Sequence, residues 1–171
     1  MPNSPSKRKA RSKRRLPIDK LLDKTGWAIL AALQQDARLS FHQLGRLVGL
    51  SAPATAERVR RLEEAGVIAG YRAVVPPEMI GLAITAFVRL TGVSPERYYA
   101  RASTLFASIP GVREAHHVAG DDSFIVKVAA RDVERLERII GKLTTFGRSV
   151  TSIVLSTPLT RPVFDRPPEE L

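Results

Sequence analysis

Residues 39–68 read LSFHQLGRLVGLSAPATAERVRRLEEAGVI, and this stretch decides the fold because its punctuation spells two short helices separated by a tight turn. Ser40 followed by Gln43 has the spacing of a capping box, in which each side chain satisfies an orphan backbone donor of the other residue. Leu44, Leu47 and Val48 supply the apolar stripe of the first helix. Gly49 ends that helix in the left-handed conformation glycine adopts without strain, Leu50 drops into the core, and Ser51 caps the second helix. Pro53 falls in the first turn of this second helix, where its missing N–H is harmless; the helix runs to Ala65, with Gly66 as its stop.

At about 100° per residue, Thr55, Ala56, Val59 and Leu62 share one side of the second helix, and Ala54, Glu57, Arg58, Arg60 and Arg61 lie outside it. The helix begins with small and polar residues and is rich in arginine in its middle. That order suits a helix whose first turns approach base edges of double-stranded DNA while later residues reach phosphates. Ser51, Ala54, Thr55, Arg58 and Arg61 are therefore the candidate DNA-binding residues. A basic face interspersed with Glu57, Glu63 and Glu64 also describes a merely solvated helix. The capped start, the tight turn and the small residues favour DNA.

Around this motif, 171 residues with a 44% apolar fraction are enough for two small domains with real cores. No apolar run reaches membrane-spanning length and no apolar leader is present, so no membrane partner and a cytoplasmic location are expected. Zero cysteines exclude disulfides, thiolate metal sites and cysteine nucleophiles. The net charge is +10, and residues 1–15 (MPNSPSKRKARSKRR) hold seven Lys or Arg and no acid. Residues 1–15 are expected to be a disordered basic arm that binds polyanions by counterion release without reading sequence.

Residues 16–66 form the expected helix-turn-helix domain. Its first helix is capped by Asp23, with Trp27, Leu30, Ala31 and Leu33 facing inward and Gly26 weakening it by about 1 kcal/mol relative to alanine. The run 67–75 is β-like, broken at Gly70 and ended by Pro76 and Pro77, so 67–81 is read as an extended wing or linker. Strand patterns over 82–91, 112–119, 123–130 and 150–159 alternate with helical patterns over 95–108 and 133–143. The class is α+β, and 82–159 is expected to be a ferredoxin-like βαββαβ domain. Its helices cover one face of the sheet while both faces carry apolar residues, which calls for a second subunit on the other. Residues 160–171 are a proline-rich tail.

The loop Gly120, Asp121, Asp122, Ser123, Phe124 joins two strands and combines a glycine with adjacent carboxylates that no cation accompanies in sequence. Such a loop suits the ammonium group of a free amino acid; an Asp-Asp-Ser turn that simply ties two strands is the plainer reading. His116 and His117 are neighbours on a strand, face opposite ways and do not make a metal site. Glu63 with Glu64 and Glu169 with Glu170 lack a cleft for acid-base work, and neither a phosphate-binding glycine loop nor a nucleophile elbow is present. No catalytic residue, metal or cofactor is expected.

Leu22-Asp23, Ile29-Leu30, Arg38, Leu44, Leu50-Ser51, Arg58-Val59, Arg61-Leu62-Glu63, Gly66-Val67-Ile68, Gly70-Tyr71 and Gly81-Leu82 together resemble the signature of the Lrp/AsnC (leucine-responsive, feast/famine) transcriptional regulators, over about residues 22–155. The resemblance implies a winged helix-turn-helix, a linker that pairs across a homodimer, and a ferredoxin-like effector domain that also supports higher-order oligomers. It places an amino-acid effector at the glycine-containing loop between subunits. On that likeness Gly120, Asp121, Asp122, Ser123 and Thr151 are the effector candidates, with Ser123 standing where the family usually has an aspartate before the aromatic residue. The expected function is a sequence-specific DNA-binding regulator modulated by an amino acid. Two alternatives are an architectural DNA-compacting protein and a tetrapyrrole-binding enzyme of similar architecture, for which His116, His117 and Arg113 are the only candidates.

Overall fold

The structure, a computed structural model, describes residues 18–93, 102–160 and 163–167. The basic arm at 1–15, and the part of the expected 95–108 helix that contains Tyr98, lie outside the described residues. The chain forms two compact units: the residues up to Arg72 together with the tail from Thr160, and Ala73–Leu159.

The first unit is helical. Helix α1 (Ile18–Leu21) is separated from α2 (Lys24–Gln35) by a break at which Asp23 caps α2, its Oδ1 accepting the Gly26 N–H at 2.8 Å. The Leu21 carbonyl lies where a Cβ on Gly26 would sit, so this glycine permits a close approach rather than merely weakening the helix. That approach turns the buried face of α2 toward Gly26 and Ile29, the latter wholly buried; Trp27, Leu30 and Leu33 are half-buried and Ala31 is exposed, contrary to the sequence expectation.

Helix α3 (Phe41–Val48) begins with the complete capping box: Gln43 N–H donates to Ser40 Oγ at 3.3 Å, and Ser40 N–H to Gln43 Oε1 at 2.9 Å. Gly49 ends it at φ 74°. Leu47, expected in the apolar stripe, is 67% exposed. The inward position beside Leu44 belongs instead to Gly45, where a Cβ would come within 2.5 Å of the Leu50 carbonyl oxygen and 2.9 Å of Thr55 Oγ1. Only a residue without a side chain lets the turn and the next helix, α4 (Ala52–Glu64), cross so closely. The core of the unit is Leu21, Ile29, Leu44, Val59 and Leu62.

No strand forms over the expected wing at 67–75. Gly66 turns at φ 76°, and the N–H groups of Val67 and Ile68 both donate to Leu62 O, at 2.9 and 3.2 Å. These two β-branched residues thus close the end of α4 and pack their side chains on its core. Beyond them no segment among the described residues lies alongside to build a ladder.

In the second unit a 3-10 turn (Pro77–Ile80) leads into strand β1 (Ile84–Thr91), followed by helix α5 (Ala102–Ala107), strands β2 (Val112–His117) and β3 (Phe124–Ala130), helix α6 (Val133–Leu143) and strand β4 (Arg148–Ile153). The four strands pair antiparallel in the order β2-β3-β1-β4, the expected ferredoxin-like arrangement. β4 starts two residues before and ends well short of the run 150–159; its last bond is Val154 N–H to Thr85 O at 2.9 Å. One face of the sheet, with Ala86, Val88, Phe124 and Val126, packs on Phe106, Leu136, Ile139 and Leu143 of the helices. On the other face Phe87 is 39% and Val150 52% exposed. Among the described residues no helix is long and apolar enough to cross a membrane.

Candidate nucleic-acid interface and effector site

Helix α4 is presented by its cap. Ser51, in extended conformation, accepts the Ala54 N–H on its Oγ at 3.4 Å, and Pro53 and Ala54 stand exposed on the first turn. Thr55 is corrected from the sequence expectation: it is wholly buried, its Oγ1 donating to Ser51 O at 2.9 Å, so it belongs to the turn and the core and has no surface to offer DNA.

Arg58 is committed to a bracing role. Its two terminal nitrogens donate to both oxygens of Asp23, at 2.8 and 2.9 Å, tying the middle of α4 to the start of α2. The guanidinium, with the Gly26 N–H, holds the Asp23 carboxyl below its ordinary range. Among the described residues Arg61 donates to Glu57 through Nε alone, at 2.8 Å, and its two terminal nitrogens have no partner there. Arg60 is held by Glu57 and by Glu64. Flanked by Arg60 and then Arg61, the exposed Glu57 carboxyl is pulled down to about 2, so it stays ionised at neutral pH and pre-orients both arginines. Arg61 shares a small cavity of about 80 Å³ with Lys20 and Arg58, on the side of α4 that faces the start of the domain.

The Asp23 anchor, 35 residues from Arg58, and Gly45 were not singled out by the sequence reading of the DNA-binding surface. The local sequence marks Asp23 as a helix cap, a signal that does not reveal a second partner.

In the second unit, Gly120 sits at φ 127° with open space where a Cβ would be. Asp121 is exposed. Asp122, read from sequence as lacking a cation, has Oδ2 at 3.5 Å from Arg89 Nη1. The pair arises because β1 and β3 register Arg89 opposite Ile125, three residues past Asp122, a juxtaposition only the sheet creates. Ser123 is fixed by its backbone, its N–H donating to Leu90 O at 2.7 Å and its carbonyl accepting from Val118 N–H at 3.2 Å. Phe124 is buried, edge-on to Phe106 at 5.2 Å between ring centroids.

Thr151 is not brought to the loop. It pairs with Val88 and so shares the helix-covered face, whereas Arg89 and its Asp122 partner lie on the opposite face. None of the five effector candidates lines the cavities of about 470 and 730 Å³ in this unit. His116 stands 3.4 Å from Glu114 while the His117 ring lies 5.2 Å from that of Phe124, and no cluster of metal-ligating side chains occurs among the described residues.

Comparison with known proteins gives two matches along the chain: an AsnC-type helix-turn-helix domain at residues 22–63 and an Lrp/AsnC ligand binding domain at residues 85–164. The chain is 40% identical over 143 residues to the uncharacterized HTH-type transcriptional regulator YezC of Bacillus subtilis, covering 84% of this chain and 100% of that one. The solved structure of B. subtilis LrpC aligns with a TM-score of 0.75 at 31% identity, over 82% of this chain and 99% of that one. A feast or famine regulatory protein from Mycobacterium tuberculosis, solved in complex with L-methionine, aligns with a TM-score of 0.74 at 31% identity, over 81% and 95% of the two chains.

Proposed function

We propose, for a chain that belongs to the Lrp/AsnC family of transcriptional regulators, a division of labour in which α4 reads DNA through Ser51, Ala54 and Arg61 while Arg58 holds the helix in place. The protein is a DNA-binding transcriptional regulator, and the family and its named relatives are regulators rather than enzymes. The observation that carries the division is the difference between the two arginines: Arg58 has both terminal nitrogens on Asp23, and those of Arg61 meet no acceptor among the described residues. Fluorescence anisotropy on a selected operator duplex tests it. Arg61→Ala is expected to weaken binding by about 1–3 kcal/mol and relax the preference at one base pair if it contacts a base edge. Unchanged affinity and preference in that variant, with the fold intact, refutes the assignment.

The effector reading rests on Asp122 and Arg89. A zwitterionic amino acid carries one group of each sign, so it can replace their 3.5 Å contact by placing its ammonium on the carboxylates of Asp121 and Asp122 and its carboxylate on the guanidinium. The L-methionine bound to the M. tuberculosis relative is a ligand of this chemistry. Under this reading the exposed face of the sheet pairs with a second copy of the chain, and Thr151 contributes only where another subunit approaches the loop. The ligand changes assembly through a difference in affinity between states, typically about 1–3 kcal/mol. A DNA partner carries with it a cytoplasmic location. Sedimentation velocity with and without L-methionine decides the matter: Asp122→Ala and Arg89→Gln should remove the response of the wild-type protein, and a response that persists in both places the sensor elsewhere.

A further inference from the structure

At the open end of the β2–β3 hairpin, away from residues 120–124, lies the cavity of about 470 Å³. Its floor is apolar, formed by the side chains of Ala130 and Ile139 from the helix-covered face, with Ala129 also on the lining. Four guanidinium side chains, Arg113, Arg131, Arg135 and Arg138, surround it with one carboxylate, Asp132.

Three local features build this arrangement. Gly111 passes flush with the floor at φ 102°, where a Cβ would strike the Ile139 side chain and come within 3.0 Å of the Ala129 carbonyl oxygen. A bulge between Val112 and Glu114 takes Arg113 out of the β2–β3 ladder, and a bulge re-aims the side chain it carries. Asp132 caps α6, its Oδ1 accepting the Arg135 N–H at 2.8 Å and its Oδ2 lying 3.3 Å from Arg131 Nε.

The start of α6 is therefore already capped, and any attraction for an anion comes from the guanidiniums. Asp132 balances Arg131, and Glu134 reaches Arg138 at 2.8 Å in a solvated pair. The side chains of Arg113 and Arg135 have no ion pair among the described residues. Two unbalanced planar forks thus border an apolar floor, and guanidinium forks match carboxylate and phosphate oxygens two at a time.

We infer that this cavity is a second ligand site, independent of residues 120–124, which takes a small organic anion: a carboxylate or phosphate held by Arg113 and Arg135, with an apolar body on the Ala130 and Ile139 floor. The volume is in the range of small-molecule pockets, and the concave apolar floor does not suit the convex phosphate backbone of a duplex.

Isothermal titration of the full chain with phenyl phosphate, benzoate and inorganic phosphate tests the inference. Arg113→Gln and Arg135→Gln should each weaken the aromatic anion about tenfold, as loss of a charge-assisted hydrogen bond does. Arg148→Gln, remote on β4, should leave it unchanged, and unaltered melting temperatures should confirm the folds of all three variants. Phenyl phosphate or benzoate alone binding in this pattern supports the site and chooses its head group. No saturable binding of either aromatic anion overturns it, as does equal binding by the wild type and both cavity variants. Inorganic phosphate binding as tightly as phenyl phosphate removes the role of the floor and overturns the ligand class. A loss of duplex affinity in both variants without aromatic-anion binding assigns these arginines to DNA instead. The L-methionine response should persist in both, which separates failure here from failure of the effector reading.

Discussion

Removing the carboxylate of Asp23 while keeping its shape separates the two jobs this residue does. Asp23 accepts the Gly26 N–H as the cap of α2 and both terminal nitrogens of Arg58 on α4. Asp23→Asn retains a cap acceptor and loses the ion pair; Asp23→Ala loses both. The side chains are 35% and 43% exposed, so solvent screening holds the pair to about 0.5–1 kcal/mol despite its two-pronged geometry. An N-cap contributes about 1 kcal/mol. The expected losses are then about 0.5–1 kcal/mol for Asp23→Asn and about 1.5–2 kcal/mol for Asp23→Ala, with a coupling of about 0.5–1 kcal/mol in the cycle of Asp23→Asn with Arg58→Met.

Trp27, the single tryptophan of the chain, lies in α2 and reports this unit in a urea titration followed by fluorescence. The pH dependence has a definite sign. Hydrogen bonding to Arg58, then to the Gly26 N–H, lowers the folded pKa of Asp23 below its ordinary 3.8, so its contribution is fully present above that value and is lost as pH falls through the folded pKa. The gap between wild type and Asp23→Asn should be constant from neutral pH to about 5 and close at lower pH. Arg58→Met should weaken binding to all DNA alike and keep base preference. A coupling indistinguishable from zero, or a changed base preference in Arg58→Met, refutes the bracing role.

Gly45→Ala should lower stability by about 1–3 kcal/mol in the same titration despite alanine's better helix propensity, because the new Cβ would meet the Leu50 carbonyl oxygen at 2.5 Å; an unchanged midpoint would show that α3 and α4 can separate at no cost. Deleting residues 1–15 removes seven positive charges and should flatten the log-log salt dependence of DNA binding by up to about six units without altering sequence preference; an identical slope means the arm does not meet DNA. The Gln34 side chain both donates to Phe164 O at 3.0 Å and accepts from Phe164 N–H at 2.8 Å, so Gln34→Ala should raise hydrogen exchange at the Phe164 amide roughly fivefold or more, the loss of about 1 kcal/mol; unchanged protection would place the restraint on the tail elsewhere.

What the sequence by itself determined is local in origin. The capping box of Ser40 and Gln43, the left-handed Gly49, the Ser51 cap and Pro53 in a first turn each act within four residues, so the helix-turn-helix was legible, as was the alternation of strand and helix that yields the four-stranded sheet. The tertiary structure decided everything that depends on what lies opposite. It closed the Thr55 hydroxyl on the Ser51 carbonyl, out of reach of DNA, and it exposed Leu47, because Gly45 takes the inward place beside Leu44 where the two helices cross. Val67 and Ile68 went to the end of α4 rather than to a strand, because the Leu62 carbonyl was within reach and no strand among the described residues was. Arg58 was drawn to Asp23 and Asp122 to Arg89, over separations of 35 and 33 positions, since an ion pair follows distance in space and one-dimensional spacing carries no record of it.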